Sequence, residues 1–207
     1  MSIFNPILPL FTLLIGYTIG SFPTGYLAGK LIKGIDLRDI GSGSTGATNV
    51  LRHIGKGPAI IVFLIDVIKG IAPILIARSL QLNDSFQVAT GIASLIGHIW
   101  PIWLKWKGGK AVATGLGLFL GLSWTVGLSC LGIFLTVLTF SKIVSLASIL
   151  AALSLPILMY LSLYGGDQIS NPYMWVSLLS MSIVIWRHRS NIKRLINGTE
   201  PKIGQSS

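Results

Sequence analysis

The sequence predicts an all-α protein, a polytopic helical bundle built into a membrane. Three observations carry that expectation. Of 207 residues, 52% are hydrophobic and only 11% are charged, whereas a soluble domain carries about a quarter charged residues. The mean hydropathy is +0.75, as expected of a chain surrounded mostly by hydrocarbon. The apolar residues also fall in runs near the roughly 20 residues that a helix needs to cross a bilayer, and basic clusters bound those runs.

The first run, residues 7–29, has no basic leader stretch and no small-residue cleavage site, so it is expected to be a retained helix and not a removed signal. Further runs lie at 58–78, 86–104, 143–164 and 172–187. The stretch from Val112 to Phe140 is long for one crossing and carries Gly115, Gly117, Gly121, Gly127 and Gly132. Charge placement decides its form. Lys30, Lys33, Arg38, Arg52 and Lys56 mark one cytoplasmic loop, Lys105, Lys107 and Lys110 a second, Lys142 a third, and Arg187, Arg189, Lys193, Arg194 and Lys202 a tail. These clusters share a side only if the chain crosses twice between Lys110 and Lys142, with a turn near Gly121–Trp124. The expectation is therefore about seven transmembrane helices, the fourth and fifth short. The N-terminus would be extracytoplasmic, the C-terminus cytoplasmic, and residues 1–207 a single domain without internal repeats. Arg78, Asp84 and Asp167 fall on the far side, the two aspartates as solvated loop residues.

Composition narrows the partners. The net charge of +10, from 16 Lys+Arg against 6 Asp+Glu, borders apolar spans and so indicates anionic lipid and anionic substrates, not nucleic acid. The single cysteine, Cys130, rules out an internal disulfide and is expected to serve packing. The carboxylates are scattered, and His53, His98 and His188 lack metal-ligand spacing, so neither metal nor cofactor is expected.

The polar motifs gather on the expected cytoplasmic face. Gly41, Ser42, Gly43, Ser44, Thr45, Gly46, Thr48, Asn49 and Arg52 combine glycines that let backbone approach a ligand, hydroxyl donors and a permanent bidentate cation. That chemistry suits a phosphate. A plain linker would share the glycines but seldom so dense a set of Thr, Asn and Arg. Next comes Gly97-His98-Ile99-Trp100-Pro101 and then Lys107-Gly108-Gly109-Lys110, where backbone N–H groups and two ammonium groups can converge on an anion before a helix that starts near Val112. The spacing is not that of a P-loop, which argues against nucleotide hydrolysis; a purely topological basic stop is the plainer reading. Ser145 and Ser148 share a helix face and suit either substrate or close helix packing. His188 and Asn191 lie three apart in a basic tail, where histidine can move a proton and asparagine can orient a hydroxyl; contact with anionic lipid is the alternative there. Asp66 and Lys69, within a span, read as a structural pair that orders the loops above them.

Together these residues resemble the bacterial acyl-phosphate-dependent glycerol-3-phosphate acyltransferases, integral membrane enzymes of phospholipid synthesis. The resemblance rests on Gly20-Ser21-Phe22-Pro23, Gly41 to Arg52, Asp66 with Lys69-Gly70, Gly97 to Thr114, Ser145 to Ser148 and Arg187 to Glu200. The chain departs from the family's pattern where Ser44 replaces a usual Asn and Ala111 a usual Gly. The resemblance implies transfer of an acyl group from acyl phosphate to the 1-hydroxyl of glycerol 3-phosphate, giving lysophosphatidic acid and inorganic phosphate. Ser42, Arg52, Lys107, His188 and Asn191 are then the expected catalytic residues. Gly41, Gly43, Ser44, Gly46, Thr48, Asn49, His98, Gly108, Gly109, Lys110, Ser145 and Ser148 are expected to bind substrate. Acyl phosphate is already activated and the sequence has no Gly-x-Ser-x-Gly elbow, so direct attack without an acyl-enzyme is expected. The proton acceptor stays open between His188 and the donor's own phosphate. The competing function is a phosphate or organophosphate transporter with discontinuous helices at its centre.

Overall fold

The computed structural model describes residues 7–165 and 170–204; Asp167 lies outside them. Among the described residues there are ten α-helices and no strand. They pack as two compact units, the first ending at Leu122 and the second beginning at Ser123.

The first unit holds α1 (Ile7–Ser21), α2 (Thr24–Lys33), α3 (Ala47–His53), α4 (Lys56–Ser79), α5 (Asp84–Ile99) and α6 (Val112–Leu122). The first expected span is interrupted at Phe22-Pro23, because proline lacks an N–H and disfavours helical backbone in the residue before it. α5 is shorter than the run 86–104, since Pro101 follows its end and a 3₁₀ turn, Ile102–Leu104, takes over. At its start the Asn83 side chain accepts from the Phe86 N–H at 3.1 Å, and Asp84 in the first turn complements the positive helix end.

Small residues set the packing. α1 lies along α5 and α4 along α6. A Cβ on Gly20 would collide with the Ser94 carbonyl, and one on Gly117 with the Val67 carbonyl. Where lipid removes the hydrophobic drive between helices, such close backbone approach is what holds them together. Leu37 and Val50 are fully buried with Val62 beneath the connection from α2 to α3, so that connection is a packed element.

The second unit holds α7 (Trp124–Ser141), α8 (Val144–Tyr164), α9 (Asn171–Arg187) and α10 (Arg189–Ile196). The expected turn near 121–124 falls at Ser123, whose hydroxyl caps α7. α6 is short, at 11 residues. The expectation of a short fifth segment is corrected: α7 runs for 18 residues, with no breaker until Lys142 at φ +61°. By length and composition, Ile7–Lys33, Lys56–Ser79, Trp124–Ser141 and Val144–Leu163 are long and apolar enough to cross a membrane. Cys130 is buried in α7, 4.0 Å from the Ser154 hydroxyl.

Candidate active site

The glycine-rich stretch is ordered by its own side chains. Asn49 is 1% exposed, and its amide nitrogen donates to the carbonyls of Leu37 (2.9 Å), Ile40 (3.1 Å) and Ser44 (3.0 Å). Its oxygen accepts from the Ser42 N–H at 3.3 Å. Gly41 sits at φ +58°, and a Cβ there would strike His53 and Asn49; only glycine meets both demands. Asn49, named from sequence as a substrate ligand, therefore spends its amide on the loop itself. Gly43 N–H likewise donates to Ile40 O, and the Ser44 hydroxyl is buried, 3.4 Å from the Gly46 N–H. Ser42 is exposed, Thr48 is half-buried, and Arg52 projects exposed from the last turn of α3.

Arg38 pins this loop down. Its guanidinium pairs with Asp36 at 2.6 Å, donates to Leu104 O at 2.9 Å and stacks 5.2 Å from the centre of the Tyr26 ring. The hydrogen bond from Arg38 holds the Asp36 carboxyl below the usual carboxylate range.

The second basic loop is folded onto the end of α5. Gly108 N–H donates to Ile99 O and Gly109 N–H to His98 O, both at 3.1 Å. These two N–H groups cap α5 carbonyls, so the expectation that they converge on an anion is corrected: a helix end leaves its last carbonyls in need of donors, and these are the nearest. Lys107 is exposed and Lys110 half-buried, with its own partners. Among the described residues the side chains of Arg52 and Lys107 make no hydrogen bond or ion pair, which leaves both cations available to a ligand.

His98 is buried inside unit 1. Its Nδ1 lies 3.5 Å from Lys69 Nζ and 3.9 Å from Asp66 Oδ1, and Lys69 and Asp66 pair at 2.6 Å. This supports a structural role for the pair.

Ala111, where the family pattern noted above has Gly, adopts φ +60° while 2% exposed. A left-handed non-glycine residue costs on the order of 1 kcal/mol. Ala111→Gly is expected to recover roughly that amount as a raised midpoint in thermal unfolding, with turnover retained.

In the second unit, α9 ends and α10 begins at His188. His188 is buried, and its Nδ1 donates to Val184 O at 2.8 Å. That bond fixes the proton on Nδ1, so the acceptor site of the neutral ring is Nε2. Asn191 is buried and its amide nitrogen donates to Glu200 at 2.6 Å. Ser145 donates to the same Glu200 oxygen at 2.7 Å, and Arg194 pairs with the other at 2.7 Å. Ser148 donates to Val144 O in its own helix. Glu200, which joins the side chains of Ser145, Asn191 and Arg194, is not among the site residues expected from the sequence. Its only signal was a lone carboxylate in a basic tail, followed by Pro201. Among the described residues no group of His, Cys, Asp and Glu has the makings of a metal site.

Residues 10–198 match the family described as Glycerol-3-phosphate acyltransferase. The chain belongs to the glycerol-3-phosphate acyltransferase family. A protein of that name from Prochlorococcus marinus (strain NATL1A) is 66% identical over 196 residues, 95% of this chain and 98% of the relative. Another, from Synechococcus sp. (strain CC9902), is 61% identical over 196 residues, covering 95% and 96%. Two crystal structures of PlsY (YgiH), an integral membrane glycerol 3-phosphate acyltransferase, superpose on this chain. The glycerol 3-phosphate form gives a TM-score of 0.87 at 37% identity, and the lysophosphatidic acid form 0.84 at 36%; each covers 95% of this chain and 96% of that one. Membership in this family of enzymes disfavours the transporter reading.

Proposed function

We infer that the protein is a membrane acyltransferase that moves a fatty acyl group from acyl phosphate to the 1-hydroxyl of sn-glycerol 3-phosphate. Near-full-length identity of 66% to a glycerol-3-phosphate acyltransferase carries this reading. The hydroxyl oxygen attacks the acyl carbonyl, the bond from that carbon to the phosphate oxygen breaks, and inorganic phosphate leaves with the electron pair. The hydroxyl proton passes to a phosphate oxygen of the donor or to His188. The products are lysophosphatidic acid and phosphate, and no covalent enzyme intermediate is formed.

Catalysis comes chiefly from positioning and charge neutralisation, which can supply roughly 7–11 kcal/mol without a protein nucleophile. Arg52 and Lys107, exposed and unpaired, grip the phosphates with help from Lys110, Ser42 and Thr48. Asn191 orients the attacking hydroxyl. Both packed units are assigned to one acyltransferase domain, because the family match runs from one into the other. The chain crosses a bacterial inner membrane seven times, with the N-terminus outside and the catalytic face and C-terminus in the cytoplasm, as the basic clusters favour.

The test is an assay of purified protein in lipid nanodiscs with labelled glycerol 3-phosphate, offered palmitoyl phosphate or palmitoyl-CoA. Lysophosphatidic acid is expected from the acyl phosphate alone; uptake into proteoliposomes without acyl transfer would overturn the reading. Arg52→Ala and Lys107→Ala are each expected to lower kcat/KM by roughly 10- to 150-fold, the worth of one charged hydrogen bond of about 1.5–3 kcal/mol. Ser42→Ala is expected to keep substantial turnover, as direct transfer requires.

A further inference from the structure

A buried ion cluster lies under both basic loops of the first unit. Lys69 of α4 reaches the Asp66 carboxylate at 2.6 Å, the Phe22 carbonyl at 2.9 Å and His98 Nδ1 at 3.5 Å. The Phe22 carbonyl lies in the break between α1 and α2 and also accepts from the Thr24 N–H at 3.0 Å, so the ammonium adds a tie from α4 to that break. The Ser94 hydroxyl holds the backbone of Lys69 itself, donating to its carbonyl at 2.7 Å. Ser21 and Thr45 line the same small cavity as these three charged or polar side chains. All three are at least nine-tenths buried: Asp66 is 2% exposed, Lys69 4% and His98 7%. Charges so placed are costly unless something is gained by fixing them.

The far edge of the His98 ring gives that purpose. A Cβ on Gly109 would run into His98 Nε2, so the ring lies flush against Gly109, while the His98 carbonyl takes the Gly109 N–H. A continuous chain of contacts thus runs from Asp66 through Lys69 and His98 to Gly109, the residue between Lys107 and Lys110. We propose that Asp66, Lys69 and His98 are positioning residues, which set where the basic loop holds Lys107 and Lys110. The proposal rests on the acyltransferase reading for its kinetic consequence.

The experiment compares wild type with His98→Gln and Lys69→Met in nanodiscs. It measures KM for both phosphate-bearing substrates, kcat, and hydrogen exchange at Gly108 and Gly109. For His98→Gln, at least one KM is expected to rise about tenfold or more with kcat within about threefold, the signature of lost binding energy. Exchange at the two glycine amides is expected to quicken about tenfold or more, without matching change in the transmembrane helices. Unchanged KM and unchanged exchange overturn the proposal. So does failure of His98→Gln to fold, which would make the cluster a core element only. Lys69→Met leaves Asp66 unpaired, and if it folds it should show the larger shift; a smaller one also counts against the proposal. A wild type without acyl transfer would instead sink the functional reading, and the exchange data would still judge the positioning.

Discussion

Asn49→Asp is expected to abolish acyl transfer to within about a thousandth of the wild-type rate, with the transmembrane helices still formed. The substitution is nearly isosteric, so packing does not explain the loss. An amide nitrogen that donates to the carbonyls of Leu37, Ile40 and Ser44 becomes an oxygen facing three oxygens. Each carbonyl left without its donor costs about 1–3 kcal/mol, and a buried carboxylate without a cation adds several more. The turn at Gly41 is built against the same side chain. With the loop open, Arg52 and Ser42 lose their placement, and a displacement of about 1 Å can itself cost about 100-fold. Asn49→Ala removes the donor without adding charge, so it should lose less. Turnover measured beside helical circular dichroism checks both variants, and wild-type rates in Asn49→Asp would refute the account of the loop.

The same residue shows how far the sequence could be read. An Asn among glycines, hydroxyls and an Arg has the composition of an anion site, and composition does not tell a donor aimed outward from one aimed at its own backbone. Burial decides that, and burial of Asn49 comes from Leu37 and Val50 packing beneath the loop. The N–H groups of Gly108 and Gly109 were unreadable for a related reason: their partners, the carbonyls of His98 and Ile99, are fixed only once Pro101 and the 3₁₀ turn fold the chain back. What could be read was set by local physics. Hydropathy runs gave the long helices, and the break inside 112–140 fell at Ser123. The length of α7 was not legible because Gly127 and Gly132, which read as breaks, sit within one continuous helix. Asp66 and Lys69 at i and i+3 were legible as a pair, whereas the third member, His98, is remote in sequence.

Glu200 should make the protein acid-sensitive, and the carboxylate's environment fixes the direction. Burial alone would raise its proton affinity, but hydrogen bonds from Asn191, Ser145 and Arg194 outweigh burial and hold the carboxyl below its ordinary value. A lowered folded-state value means that the charged form is bound more tightly in the folded chain. Its contribution is fully present above the unfolded carboxylate value of about 4.3 and is lost as the pH falls through the lower folded value. The thermal stability of wild type should therefore fall progressively below about pH 4. Glu200→Gln keeps the shape but sets an amide among three donors, so it should be less stable at pH 7 and change less than wild type across that acid window. Glu200→Ala leaves the buried donors of Asn191 and Ser145 without an acceptor, at about 1–3 kcal/mol each, whereas the half-exposed Arg194 regains solvent. Activity should fall further than stability explains, because the Glu200 bond at 2.6 Å decides which end of the Asn191 amide is turned away from the tail. If Glu200→Gln followed the wild-type acid profile, the carboxylate would not be the group that couples the C-terminal tail to α8 and α10.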